Sequence, residues 1–176
     1  MKNFIKESMP YVIIVILVII IRSFIITPVV VRGESMDNTL VDGEVLFLSK
    51  ISYHIHDIKR FDVVVIRDKD NDLIIKRIIG LPGDNVKYKD NQLYINNEIV
   101  SDNYSNGETE NFDLQTICMI NNDECVSKIP EDMYLVLGDN REVSADSRVK
   151  GLFKRDVILG KAVFRIWPFN RIKIIH

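Results

Sequence analysis

Residues 61–80 read FDVVVIRDKDNDLIIKRIIG, and this stretch limits what the chain can become. VVVIRD at 63–68 and LIIKRIIG at 73–80 are dominated by β-branched residues, with the turn-forming DKDND between them. Side chains stiff at χ1 fit a pleated surface, whereas Asp, Asn and Gly favour turns. The pattern continues along the chain. VDGEVLFLSK at 41–50 joins a Gly turn to a short apolar strand, and LPGD at 81–84 is another turn. VKYKDNQLYINNEIV at 86–100 alternates around an Asp-Asn turn and predicts a hairpin. YLVLGDN at 134–140 and the stretch 149–163 add further strands. Many short strands with Gly/Asp turns predict a mainly β fold, an antiparallel, barrel-like domain. Neither an internal repeat nor a helical heptad competes with it.

The N-terminus has a different pattern. After MKNFIKE, residues 9–21 carry no charge, Arg22 interrupts, and the apolar run resumes to Val31. A helix of ~20 apolar residues crosses a ~30 Å hydrocarbon layer, so a transmembrane helix is expected over 9–27. Pro28 would end or kink it. The division expected is then a short segment at 1–8, the anchor at 9–27 and a catalytic domain at 28–176, with 101–128 a polar insertion. A cleaved secretory signal is disfavoured, because no small-x-small pair follows the run. With 47% hydrophobic and 27% charged residues the remainder is globular, and a formal net charge of −2 gives no basic surplus for nucleic acid. Cys118 and Cys125 are equally compatible with a small disulfide hairpin and with two thiols, and are too few for a four-ligand zinc site.

Three blocks carry residues suited to chemistry. On a strand over 73–79, Ile74, Lys76 and Ile78 share one face. A lysine between two large apolar side chains is desolvated, and its pKa falls from ~10.4 toward neutrality, as a general base requires. Ser35 lies in GESM, a weak motif that lacks the second glycine of the hydrolase elbow. His54 and His56 sit in a polar loop and His176 is terminal, so no Ser-His-Asp triad is offered. If Ser35 is a nucleophile, a lysine is its base. The third block, GDNREVSADSR at 138–148, follows an apolar strand and predicts a hydrogen-bonded, partly buried polar scaffold.

Taken together, GESMDNTL at 33–40, FDVVVIR at 61–67, KRIIGLPGD at 76–84 and GDNREVSADSR at 138–148, in this order behind an apolar N-terminus, resemble the bacterial type I signal peptidases, especially their Gram-positive members. The resemblance implies a membrane-bound serine endopeptidase that removes signal peptides from exported preproteins after small residues, typically Ala-x-Ala, by a Ser-Lys dyad. Ser35 would be the nucleophile and Lys76 the general base, with Ser144 orienting the Lys76 amine. The Ser35 N–H would bind the oxyanion. Some members add a hydroxyl at the position of Gly33, which this chain lacks. Arg77 would pair with Asp139 and Asp146 with Arg148 as supports. Val29, Val31, Met36, Leu40, Ile74 and Ile75 match positions that line shallow substrate pockets, against which the substrate would add as a strand.

The resemblance also implies a single-pass protein of the cell membrane, with the catalytic domain on the extracytoplasmic face. Its partners would be signal peptides, membrane lipid and nearby export machinery, without nucleic acid. Trp167 and Phe169 would then either touch the outer leaflet or close the core. Neither metal nor cofactor is needed by such an acid-base set. One departure from the family pattern is Asn38, where proline is usual. Two rival readings are weaker. A self-cleaving repressor would need a DNA-binding region, and a binding module with a decayed site would not keep Ser35, Lys76 and Ser144.

Overall fold

The computed structural model describes residues 2–20, 26–121 and 125–175. An N-terminal helix, α1 (Lys2–Ile20), precedes β1 (Ile26–Val30) and β2 (Val45–Ser49). A short helix α2 (Ser52–Ile55) leads into β3 (Val63–Arg67) and β4 (Leu73–Gly80). Next come β5 (Val86–Lys89), β6 (Gln92–Ile95), β7 (Glu98–Val100), β8 (Phe112–Asp113) and helix α3 (Leu114–Asn121). The chain ends with β9 (Met133–Leu137), helix α4 (Ser147–Lys150), β10 (Phe153–Lys154), β11 (Ile158–Trp167) and β12 (Lys173–Ile174).

The larger sheet runs β1-β2-β11-β3-β4-β9-β10, with β12 also on β11, and its pairs are antiparallel. The expected barrel is corrected to a curled, open half-barrel: β1 and β10 are the two ends of the sheet and do not pair with each other. Curling comes from register shifts along β11 and near the end of β4, since a bulge increases local twist. Closure fails because the terminal strand β10 is only two residues long.

β3 is buried on both faces, which is why VVVI reads as a continuous apolar run. Val63 and Val65 join Val29, Val31, Met36, Leu40, Leu46, Leu48 and Ile75 in one core, while Val64 and Ile66 join Ile78, Val136, Phe153 and Ile158 in another. The second sheet, β7-β6-β5-β8, is the predicted hairpin extended at both sides. Asp90 and Asn91, then Asn96 and Asn97, all take positive φ at its two tight turns, the conformation that Asn and Asp tolerate best. Within 101–128 the chain forms β8 and α3, and a disulfide joins Cys118 to Cys125.

The membrane anchor is corrected as well. Among the described residues no helix is long and apolar enough to cross a membrane. α1 carries Lys2, Lys6 and Glu7 at its start and ends at Ile20, leaving an uncharged stretch of about 13 residues, or ~20 Å against the ~30 Å required. Residues 21–25 lie outside the described residues. The end of the apolar run is sheet rather than helix: ITPVV at 26–30 is β1, as β-branched residues flanking a proline favour. The single-pass topology and the extracytoplasmic placement built on that anchor therefore lose their support. Trp167 and Phe169 are exposed and stack edge to face on each other, so Trp167 does not close the core.

Candidate active site

Lys76 sits mid-strand on β4, opposite Val64 in the register with β3. Only 3% of it is exposed. Burial lowers its amine to about 8; Asp146 opposes that shift and Lys150 adds to it. The alternation that set Lys76 between Ile74 and Ile78 thus translates directly into desolvation.

Ser35 lies in the turn that follows β1. This turn is tied down at its base, where the Val31 N–H donates to Glu44 O and the Gly33 N–H to Asp42 Oδ1 at 2.7 Å. Gly33 has φ +82, a conformation that side chains other than glycine rarely adopt, although a Cβ there would meet nothing within 4 Å. Asn38 has φ 129 and donates through Nδ2 to Tyr104 O. Proline, fixed near −65°, cannot take that angle, which accounts for its absence from this position. Ser35 is half-buried, and the Lys76 amine donates to its Oγ at 2.6 Å. The Ser35 N–H has no hydrogen-bond partner among the described residues.

The loop after β9 closes over this pair. The Asn140 N–H donates to Ser35 O at 3.1 Å, and Asp139 accepts from Arg77 through two bonds, Nε to Oδ1 at 2.8 Å and Nη2 to Oδ2 at 2.7 Å. Both side chains of that ion pair are fully buried. Arg77 also donates to Phe61 O and Thr39 Oγ1, and its guanidinium lies 3.7 Å from the Tyr104 ring centroid. Asp146 accepts from Arg148 on both carboxylate oxygens and from the Gly138 N–H at 3.0 Å. The Ser144 Oγ is buried and has no hydrogen-bond partner among the described residues, so the expected bond to Lys76 is not formed.

Gly138 is a residue that the sequence reading missed. A Cβ there would meet Ser144 Oγ at 2.2 Å and the Ser35 carbonyl oxygen at 2.4 Å. One of those neighbours is backbone, so the clash cannot be relieved by a rotamer. Gly138→Ala should therefore displace the Ser35 turn, and a shift of ~1 Å at a reacting group costs on the order of 100-fold in rate. Folding by circular dichroism should persist while kcat falls. Parental kcat in G138A would show that the turn tolerates the intrusion.

Arg141 is a second residue whose role the sequence does not indicate. It is buried, donates to Gly138 O, Tyr88 Oη and Thr109 Oγ1, and pairs with Asp102. It thereby ties the small sheet to the loop holding Gly138. Asp102 and Thr109 lie in a polar stretch without periodicity, so no sequence signal pointed to them.

Of the six residues matched to substrate pockets, Val29, Val31, Met36, Leu40 and Ile75 share one core cluster, whereas Ile74 packs with another. Leu40 is fully buried and can only back a pocket wall. His54 and His56 are exposed, with His54 Nδ1 beside Lys50 O, and His176 lies outside the described residues. Among the described residues no group of three or more His, Cys, Asp or Glu is placed to hold a metal.

Comparison with known proteins follows the same line. The family described as "Signal peptidase, peptidase S26" matches residues 2–167. Signal peptidase IB of Staphylococcus aureus (strain Mu50) is 41% identical over 165 residues, 90% of this chain and 86% of the relative. Signal peptidase I of Bacillus amyloliquefaciens is 43% identical over 162 residues, 90% of this chain and 85% of the relative. The crystal structure of a signal peptidase I from Enterococcus faecalis V583 superposes with a TM-score of 0.54 at 37% identity, covering 62% of this chain and 99% of that one.

Proposed function

Because the chain belongs to the peptidase S26 family of signal peptidases and is a serine endopeptidase of the signal peptidase I type, we propose that Ser35 and Lys76 are its catalytic dyad. The 2.6 Å contact between Lys76 Nζ and Ser35 Oγ carries this reading. The neutral amine accepts the hydroxyl proton as Oγ attacks the scissile carbonyl. The resulting tetrahedral oxyanion forms beside the unpartnered Ser35 N–H. The C–N bond then breaks, Lys76 returns the proton to the leaving amine, and the acyl group stays on Ser35. Water, deprotonated by Lys76, hydrolyses that ester and restores the hydroxyl. Without a hydroxyl at Gly33 the oxyanion depends on backbone donation, and one such donor typically contributes ~3 kcal/mol where it exists.

Arg77 with Asp139 and Asp146 with Arg148 hold the loop that carries Ser144, whose free hydroxyl can turn to the Lys76 amine. Val29, Val31, Met36 and Ile75 would flank the residues before the scissile bond and leave room for small side chains such as those of Ala-x-Ala, with the substrate added as a strand. The substrates are exported preproteins, and the export machinery and lipid surface at which they emerge would be the enzyme's neighbours.

The test is cleavage of an Ala-x-Ala preprotein across pH, with Ser35→Ala as the inactive control. With Lys76 lowered to about 8, only ~10% of the amine is neutral at pH 7. kcat/KM should therefore rise about tenfold from pH 7 and level off above the apparent pKa. A midpoint near 10, or cleavage surviving in S35A, would exclude the dyad.

A further inference from the structure

Residues 102–106, DNYSN, belong to none of the motif blocks and lie in the polar stretch between β7 and β8. They nevertheless touch all four blocks. The Tyr104 carbonyl accepts from Asn38 Nδ2 at 3.1 Å, which ties it to the turn carrying Ser35. The Tyr104 ring centroid lies 3.7 Å from the Arg77 guanidinium carbon and 5.3 Å from the Phe61 ring centroid. Two residues on, the Asn106 N–H donates to Asp139 O at 2.7 Å, and Asn106 O accepts from the Arg141 N–H at 3.2 Å.

Those last two bonds make a parallel bridge between Asn106 and Asn140. Peptide groups alternate sides along an extended segment. With Asp139 O and the Arg141 N–H turned to Asn106, the Asn140 N–H points the opposite way, where it donates to Ser35 O at 3.1 Å. The loop after β9 is thus held from both edges, by Ser35 on one and by 102–106 on the other. Tyr104 also guards the ion pair beneath it. Arg77 and Asp139 are fully buried, while Tyr104 is half-buried and borders an open cavity with Asn38 and Thr39. Its ring therefore separates the guanidinium from water. An aromatic face stabilises a desolvated cation, and a dry ion pair is stronger than a wet one. The Tyr104 Oη makes no hydrogen bond among the described residues, so the ring and the main chain do the holding.

We propose that Tyr104 is a positioning residue for the cleavage reaction: its ring keeps the Arg77–Asp139 pair dry, and its carbonyl anchors the Ser35 turn. Together they fix Ser35 against the loop after β9, at the place where its hydroxyl meets the Lys76 amine. The inference deepens the Ser35–Lys76 reading above and rests on it. Tyr104 acts through Asn38 and Asp139, not at the bond being broken.

The experiment measures kcat and KM on an Ala-x-Ala preprotein for the whole chain, its Y104A and Y104F variants and S35A, with circular dichroism to count folded molecules. Y104A should lose kcat by up to about 100-fold, the order that a ~1 Å displacement of a reacting group costs, with KM close to that of the parent. Y104F keeps the ring and should restore kcat. A merely structural role would lower the folded fraction without changing kcat per folded molecule. Asn38→Gly removes the tie to the Tyr104 carbonyl while accepting the φ of 129 at that position, and should lower kcat in the same direction by a smaller factor. Parental kcat in folded Y104A, an equal loss in Y104F or a change confined to KM overturns the positioning role while S35A stays inactive. Where Y104A does not fold, parental kcat in N38G does the same. Cleavage surviving in S35A overturns the Ser-Lys reading and this inference with it.

Discussion

Lys76→Met is expected to abolish cleavage while making the folded chain more stable at neutral pH. The activity loss follows from removing the only basic group in contact with Ser35 Oγ among the described residues. In serine proteases whose residues act as a unit, deleting the base costs on the order of 10⁴-fold or more. The stability gain has a separate origin. Burial lowers the Lys76 amine from 10.5 to about 8, so at pH 7 the folded chain carries a protonated amine in a site that disfavours it. Below the folded pKa both states are protonated and the penalty is fully present, on the order of 3 kcal/mol. Between about 8 and 10.5 the folded state loses its proton before the unfolded one does, and parent stability rises with pH. Methionine, similar in length and uncharged, escapes the penalty at every pH. Urea midpoints should therefore favour K76M at pH 7 and converge on the parent as pH approaches 10.5. A less stable K76M at pH 7 would show that the amine is held by its neighbours more strongly than burial opposes it.

The second large effect is on the fold. Arg77→Ala leaves Asp139 buried with its charge uncompensated, since both side chains of the pair are fully buried. Breaking such a pair from one side typically costs 3–5 kcal/mol, or roughly 10 °C in Tm for a chain of this size. The loss includes the bonds to Phe61 O and Thr39 Oγ1 and the contact with the Tyr104 ring. kcat should fall as well, because Asp139 and Asn140 carry the loop that contacts the Ser35 carbonyl. Arg77→Met combined with Asp139→Leu separates charge from packing. If the orphaned carboxylate is the cause, the double variant should recover much of the stability lost in the single one. An R77A protein within 1 kcal/mol of the parent would mean that water reaches Asp139.

The reading of the N-terminus shows where hydropathy alone misleads. A helix over 9–27 takes the apolar residues on both sides of Arg22 as one element. The structure ends α1 at Ile20 and uses Ile26–Val30 as a sheet edge. An apolar residue count does not reveal which backbone conformation uses it, and β-branched residues beside a proline serve a strand better. The expected barrel gives way to an open sheet for a related reason. Strand propensity predicts pairing, but whether a sheet closes depends on the length and bulges of its last strands, here the two residues of β10 and the shifts along β11.

What the sequence determined by itself is local. The period of two along 73–79 set Lys76 among isoleucines and hence its burial; the Asp-Asn and Asn-Asn pairs set the tight turns of the small sheet; the motif blocks carried the family. The tertiary structure alone decided what these pieces meet. Ser35 and Lys76 are 41 residues apart, and they meet only in the folded sheet, where β1, which leads into the Ser35 turn, and β4, which carries Lys76, are joined through β2, β11 and β3. The requirement for glycine at 138 comes from Ser35 and Ser144 converging on it, and Arg141 finds Asp102 only because the small sheet folds against the loop after β9. Periodicity and propensity act over a few neighbouring residues, whereas these contacts depend on which faces the curled sheet brings together, and no local pattern in the chain encodes that.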